Sequence, residues 1–344
     1  MISVAFAQSP TSSLPWRCPR CHAALARSGD AIECTGCSAR YEVVDGIPDF
    51  RISTNFWLDA DRDRAIAREV AARFAANHDI TDLLRQVFSS GLDQDAARAA
   101  IRAQQVLEAP ERLRKELDGW LEPTVREDAF LDLGCGPGMF LAAAALRGRA
   151  GIGIDASLAW LVVAKHLIAQ SGGRPVLAAA LTDALPLADR SMSASIALDV
   201  IEHVADPAAL LREMNRVTRV GGSIALSTPN RFSMAAEPHV ALWGVGWVPR
   251  PWQADFVRWR SGKSYTYTCL LSTWEAAGMM RRETDFDFRI LVPEISAEEI
   301  RRFPAYRRLL ARTYNRLSAV PLLRGLFLII CPFFRILGAR RAPS

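Results

Sequence analysis

Apolar positions in the middle of the chain come in short continuous runs. Phe130–Leu133, Ala150–Ile154, Val176–Leu181, Ala194–Leu198 and Ser223–Ser227 read as buried strands. Between them, Phe140–Leu146, Leu158–Ala169 and Pro207–Val220 carry helical spacing. Strands alternating with helices, save between the third and fourth strands, predict an α/β, Rossmann-like doubly wound sheet. Upstream, Asp59 to Leu121 reads as helix, with breaks expected at Asn77–Thr81, Ser89–Asp93 and Ala109–Pro110. Phe74, Leu83, Leu84, Val87 and Phe88 give it one apolar face, and Val106, Leu107, Leu113 and Leu117 another. Downstream, Cys269–Ala277 reads as a helix, preceded by Tyr265 and Tyr267. Arg282–Ile290 alternates as a late strand should.

The first strand breaks into glycines at alternate positions: Asp132-Leu-Gly134-Cys-Gly136-Pro-Gly138. A dinucleotide loop needs G-x-G-x-x-G, and a P-loop needs G-K-[ST]; neither is present. The pattern D-x-G-x-G-x-G resembles motif I of the class I S-adenosylmethionine-dependent methyltransferases. That resemblance spans roughly 130–289 and implies a seven-stranded methyltransferase sheet. In the family this loop holds the methionine part of the cofactor, which marks Asp132, Gly134, Gly136 and Gly138 as contacts. It also makes Asp155, at the end of the second strand, the ribose ligand and Asp183, after the third, the adenine contact. Asp199 ends the fourth strand and completes the set expected to face S-adenosylmethionine.

In open α/β sheets ligands sit beyond the C-terminal strand ends. Asp199, Glu202 and His203 should therefore lie near the reacting centre. Methyl transfer needs alignment of a nucleophile and removal of its proton. His203, assisted by Glu202, is the first candidate for that base. The spacing D-x-x-E-H resembles the E-x-x-E-H of ubiquinone-pathway O-methyltransferases, which is linked there to a divalent cation. A long connection after the fifth strand, 229–266, holds Trp243, Trp247, Trp252, Phe256 and Trp259. Such an aromatic concentration suits a lid or an apolar acceptor pocket, or a small core beneath a loop. His239 in this insert is the second candidate base.

Four of the seven cysteines form C-x₂-C…C-x₂-C: Cys18, Cys21, Cys34 and Cys37. That spacing can place four thiolates tetrahedrally around structural Zn²⁺. The segment resembles the Trm112-like zinc-ribbon module found ahead of methyltransferase domains. The other three cysteines are scattered, so a reduced, cytoplasmic setting is expected, and no signal peptide is evident. With 344 residues and half of them hydrophobic, the chain can build a large core. The net charge of +5 alone says little. From Glu294 onward, however, ten arginines face three glutamates. The tail ends in an apolar stretch, 317–337, whose longest unbroken part is too short to span a membrane. It suits peripheral contact with the inner face of an anionic membrane, a helix packed on the domain, or a dimer interface.

The expected organisation is a zinc ribbon at 1–52, a helical cap at 53–122, a methyltransferase domain at 123–292 and Arg-rich amphipathic helices at 293–344. The expected activity is methylation, most simply O-methylation, of a small or lipid-linked acceptor. RNA methylation guided by the ribbon is the rival. Against it, the fourth strand ends in Asp199-Val-Ile-Glu202 rather than an N-P-P-[YF] base-methylation signature. A non-catalytic scaffold on the same fold is the rival outside enzymes.

Overall fold

The computed structural model describes residues 16–53, 58–91, 96–117, 130–266 and 268–342. The readings of the first fifteen residues, of Tyr267 and of the 122/123 boundary fall outside them.

Four short strands open the chain: β1 (Leu25–Ser28), β2 (Ala31–Cys34), β3 (Arg40–Val44) and β4 (Ile47–Pro48), paired in that order. Three helices follow, α1 (Ala60–Asn77), α2 (Ile80–Gly91) and α3 (Ala96–Glu116). The expected stop at 77–81 is real: His78 caps α1 in the left-handed conformation. The expected stop at Pro110 is not, because α3 runs straight through it.

The alternating block is β5 (Phe130–Leu133), α4 (Met139–Ala145), β6 (Gly151–Asp155), α5 (Leu158–Gln170), β7 (Val176–Ala179), β8 (Met192–Leu198), α6 (Pro207–Val217) and β9 (Thr218–Pro229). All four neighbouring pairs among β5 to β9 are parallel. After the insert and its helix α7 (Arg250–Ser261) come α8 (Thr273–Glu283) and β10 (Phe286–Leu291). The chain ends in α9 (Ala297–Arg302), α10 (Ala305–Ser318), α11 (Arg324–Ile330) and β11 (Phe333–Arg340). The seven-stranded sheet has the order β10-β11-β9-β8-β5-β6-β7.

One expectation is corrected here. The tail is not helical to its end, because Pro332 stops α11 and the next eight residues are a strand. β11 lies between β9 and β10 and is antiparallel to both. Phe334 and Ile336, two residues apart, are buried in the sheet. The strand end of the apolar run is therefore core, while Leu317, Leu322, Leu326 and Ile329 earlier in it stay exposed.

The ribbon is welded to the opposite edge of the sheet. Phe50 N donates to Ala179 O at 2.7 Å, and Asp49 bridges Ala179 in parallel sense beside β7. Phe50 is buried between Trp16 and Tyr41, at ring separations of 5.9 and 5.1 Å. Below this seam, Arg51 bonds Asp49 at 2.6 Å and Asp63 of α1 at 2.7 Å, with all three side chains buried. Asp63 accepts in turn from Ser157 Oγ and Leu158 N, both at 2.8 Å, at the start of α5. A buried pair like this is strongly destabilising when one partner is removed. The network thus joins ribbon, collar and sheet beside the end of β6.

The central position of β11 yields a prediction. A chain truncated after Cys331 exposes the edges of both β9 and β10 and should not fold. Size-exclusion chromatography and circular dichroism should find it aggregated or unfolded. A folded truncated monomer would contradict the sheet order.

Candidate functional site

The turn after β5 is built by its glycines, each for its own reason. Gly134 N and Cys135 N both donate to Ile154 O, tying the loop to β6. A Cβ on Gly134 would lie 2.4 Å from Val200 Cγ2, so that position is closed by packing against the β8 end. Gly138, at φ +76, caps α4 and would put a Cβ 2.7 Å from that of Ala164 in α5. Gly136, at φ +49, has open space where a Cβ would stand. Of the three, only Gly136 has open space where a side chain would stand. The other two set the shape of the turn.

Beneath the loop lie two carboxylates on adjacent strands. Asp132 is buried, and its carboxyl is pushed up to about 7, by burial first and by Asp155 second. Asp155 accepts from Gly136 N and Ser157 N, both at 2.8 Å, and burial raises its pKa too. Two partly dehydrated acids side by side repel. A cationic ligand with hydroxyl or ammonium donors would relieve that repulsion, so the donor set fits S-adenosylmethionine. Asp183 stands exposed in the turn after β7, at the same edge of the sheet. Asp199, at φ +56, accepts from Ser227 Oγ at 2.8 Å.

The end of β8 carries a second cluster. Glu202 is 1% exposed, and burial, then Asp199, push its pKa to about 7. Its Oε2 accepts from Thr228 Oγ1 at 3.0 Å, while Oε1 is buried without a partner. His239 crosses from the insert to meet it. His239 Nε2 lies 3.1 Å from His203 Nε2, with the rings edge to face. Behind it, buried Glu237 bonds His239 Nδ1 and accepts from Val240 N at 2.9 Å. Burial opposes a charge on His239, but Glu237 outweighs it and raises the imidazole pKa. Nearby, the buried Tyr265 hydroxyl also lacks a partner. Its pKa is driven well above the usual value by burial and then by Glu237, Cys269 and Glu202.

The structure thus brings together all three expected catalytic residues, His203, Glu202 and His239. Their donor atoms lie within 4.8 Å of one another, a spacing a divalent cation could also bridge. Asp199 is not part of that set. Glu237 carries no sequence signal beyond its place two residues before His239, and Tyr265 gives none.

The insert differs from the expected aromatic pocket. Val240, Val245, Val257 and Tyr265 make a small core of their own. Trp243, Trp247, Trp252 and Trp259 stand on the outer surface. The alternative, a mini-core under the loop, is what forms.

At the ribbon, the four cysteine sulfurs gather within 4.8 Å of one another. Cys18 and Cys37 Sγ lie 3.7 Å apart, and Cys21 and Cys34 Sγ 3.4 Å. Tetrahedral Zn–S bonds of about 2.3 Å require sulfurs roughly 3.8 Å apart, so the cluster fits that ion. Gly36 N and Cys37 N point at Cys34 Sγ, at 3.3 and 3.4 Å. Burial opposes the thiolate there, but these N–H groups win and lower the Cys34 pKa to about 6.

Residues 131–226 match the family model described as a methyltransferase domain. The chain is similar to an uncharacterized methyltransferase of Mycobacterium sp. (strain JLS), 43% identical over 106 residues, which are 31% of this chain and 40% of that protein. It is also similar to the ubiquinone biosynthesis O-methyltransferase of Parvibaculum lavamentivorans, 32% identical over 127 residues, 35% of this chain and 49% of that one. The chain thus spans less than half the length of these curated relatives. Among solved structures, the YcgJ protein of Bacillus subtilis superposes with a TM-score of 0.42 at 19% identity, over 68% of this chain and 99% of that one. Among the described residues, no helix is long and apolar enough to cross a membrane. The glycine loop and the acids at the strand ends all lie within the matched segment: residues 131–226 of this chain are a methyltransferase domain.

Proposed function

We propose that the protein transfers a methyl group from S-adenosylmethionine to a hydroxyl oxygen of a small or lipid-linked acceptor. The observation that carries this reading is the Glu237–His239–His203 chain beside the unpartnered Glu202 oxygen, at the end of β8. The cofactor, when bound, supplies an electrophilic methyl group on a good leaving group. The residues of this chain must do the rest.

Asp132, Gly136 and Asp155 would hold the cofactor, with Asp183 and Asp199 at its flanks. Donors on the ligand would satisfy the two raised carboxyls beneath the loop. Glu237 fixes the His239 ring with a proton on Nδ1, leaving Nε2 toward His203. The imidazole pair would take the acceptor's proton as its oxygen attacks. Glu202 Oε1 and the Tyr265 hydroxyl are dehydrated polar atoms waiting for a partner, and a polar group of the acceptor would provide one. Named relatives that methylate oxygen support the choice of oxygen over nitrogen or carbon. The four ribbon cysteines would hold Zn²⁺ and stabilise the small module, with no part in the chemistry.

Two outcomes test this reading. Asp132→Asn removes a carboxyl whose pKa rises from 3.8 to about 7 on folding. A raised acid costs nothing below the unfolded pKa, and its cost grows until the folded pKa is passed. Ligand-free D132N should therefore match wild type below about pH 4 and melt several degrees higher above about pH 7. The same variant should lose the thermal shift given by S-adenosylmethionine. Equal melting profiles across that range would refute the role given to the acid pair.

His239→Ala should lower transfer of labelled methyl groups into cell extract by about 10²–10⁴-fold while keeping the cofactor-induced shift. Unchanged transfer would remove the imidazole pair from the mechanism. Label recovered in RNA would favour the rival acceptor class. No label anywhere, with cofactor bound, would favour a scaffold.

A further inference from the structure

The last helices hold an apolar surface that the fold does not use. In α10, Ala311, Tyr314, Asn315 and Ser318 face inward or toward the preceding segment. Tyr314 Oη donates to Pro293 O at 3.1 Å, and Asn315 exchanges hydrogen bonds with the backbone of Ile295 at 2.8 and 3.0 Å. Tyr314 also packs edge-on against Phe327 of α11, at 5.4 Å. The helix is therefore anchored by its small and polar face. Tyr306, Leu309, Leu310 and Leu317, spaced along the opposite side, point into solvent. Leu309 is 68% exposed and Leu310 65%. A surface helix ordinarily does the reverse.

The stripe continues beyond α10. Leu322 is 92% exposed in the turn that follows, and Leu326 and Ile329 of α11 are exposed as well. Met234 N bonds Ile330 O at 3.1 Å, bringing the root of the insert alongside. Exposed Met234 and Trp247 stand on that root, and Phe232 stacks on exposed Trp274 at 5.1 Å. Trp247 is tied to it through Ser233 O at 3.2 Å. The apolar surface thus runs from α10 through α11 to the insert that carries His239.

Its charge is one-sided. Arg308, Arg312 and Arg316 recur every four residues along one flank of α10, all exposed, and Arg324 opens α11. No Asp or Glu follows Glu299 in the chain. A second copy docked antiparallel on this face would set arginine row against arginine row across the two-fold. An acidic lipid surface complements both features, since leucines and tryptophans enter the interfacial layer while arginines meet phosphates.

We propose that the outward face of α10 and α11, together with the rim of the insert, docks the protein on an anionic lipid bilayer. This surface, rather than the sheet-forming end of the tail, is the lipid-facing element. The inference does not rest on the activity proposed above.

The test is flotation of the full chain with vesicles of phosphatidylcholine, with and without phosphatidylglycerol. Wild type should float with the anionic vesicles, remain behind with the neutral ones, and be released by salt. The triple variant L309S/L310S/L322S should lose partitioning by roughly a hundredfold or more. R308Q/R312Q/R316Q should lose about a hundredfold on anionic vesicles. Both should keep the wild-type melting temperature, because the changed side chains touch solvent. Failure of wild type to float, or flotation of the leucine variant equal to wild type, would overturn the proposal. So would a concentration-dependent dimer in sedimentation that the leucine changes dissolve.

Discussion

The organising constraint is a pair of acids that the fold holds where acids are costly. Asp132 and Asp155 end neighbouring parallel strands under one backbone turn, and burial raises both. A hydrophobic pair there would make a more stable empty protein. The surrounding structure serves to keep the carboxyls in place. Gly136 N and Ser157 N fix the two oxygens of Asp155. Val200 and Ala164 close the turn at Gly134 and Gly138, so its only open side is at Gly136. Left-handed backbone and charge gathered at the C-terminal strand ends are what the proposed cofactor site requires.

The additions around the sheet brace that site from two sides. On one, Asp49 and Phe50, just past the ribbon's last strand, pair with Ala179 of β7, and Arg51 carries the joint to Asp63, which accepts from Leu158 N at the start of α5. On the other, β11 seals β9, whose end holds Ser227 and Thr228 against Asp199 and Glu202. Asn230, just past β9, binds the backbone of Leu328 and Ile329. The tail and the histidine-bearing insert therefore share one anchor. A single mobile lid is a poorer description of the insert than a small packed unit clamped to the C-terminal helices.

Much of this was legible in the residues. Apolar runs and glycines give the parallel strands because a buried strand needs little else. The acids at their ends follow from the strand ends themselves, and the cysteine spacing implies the ribbon. Three things were hidden. β11 starts in the last two residues of the unbroken apolar stretch and runs on past Arg335, and only Pro332 hints that a helix stops there; a short apolar run has no period that separates helix from strand. Glu237 and His239 meet His203 through tertiary packing across 36 residues, which no local pattern records. The insert's tryptophans suggested a pocket by composition alone, but Val240, Val245 and Val257 fill the interior and leave the larger rings outside.

Calorimetric titration of the metal-replete protein with S-adenosylmethionine near pH 7, in buffers of different ionisation enthalpy, tests the central claim most directly. A cationic ligand settling on raised carboxyls lowers their pKa and expels protons. Saturable one-to-one binding with proton release that vanishes in D132N is expected. Saturable binding without proton release, or no binding at all, would contradict it.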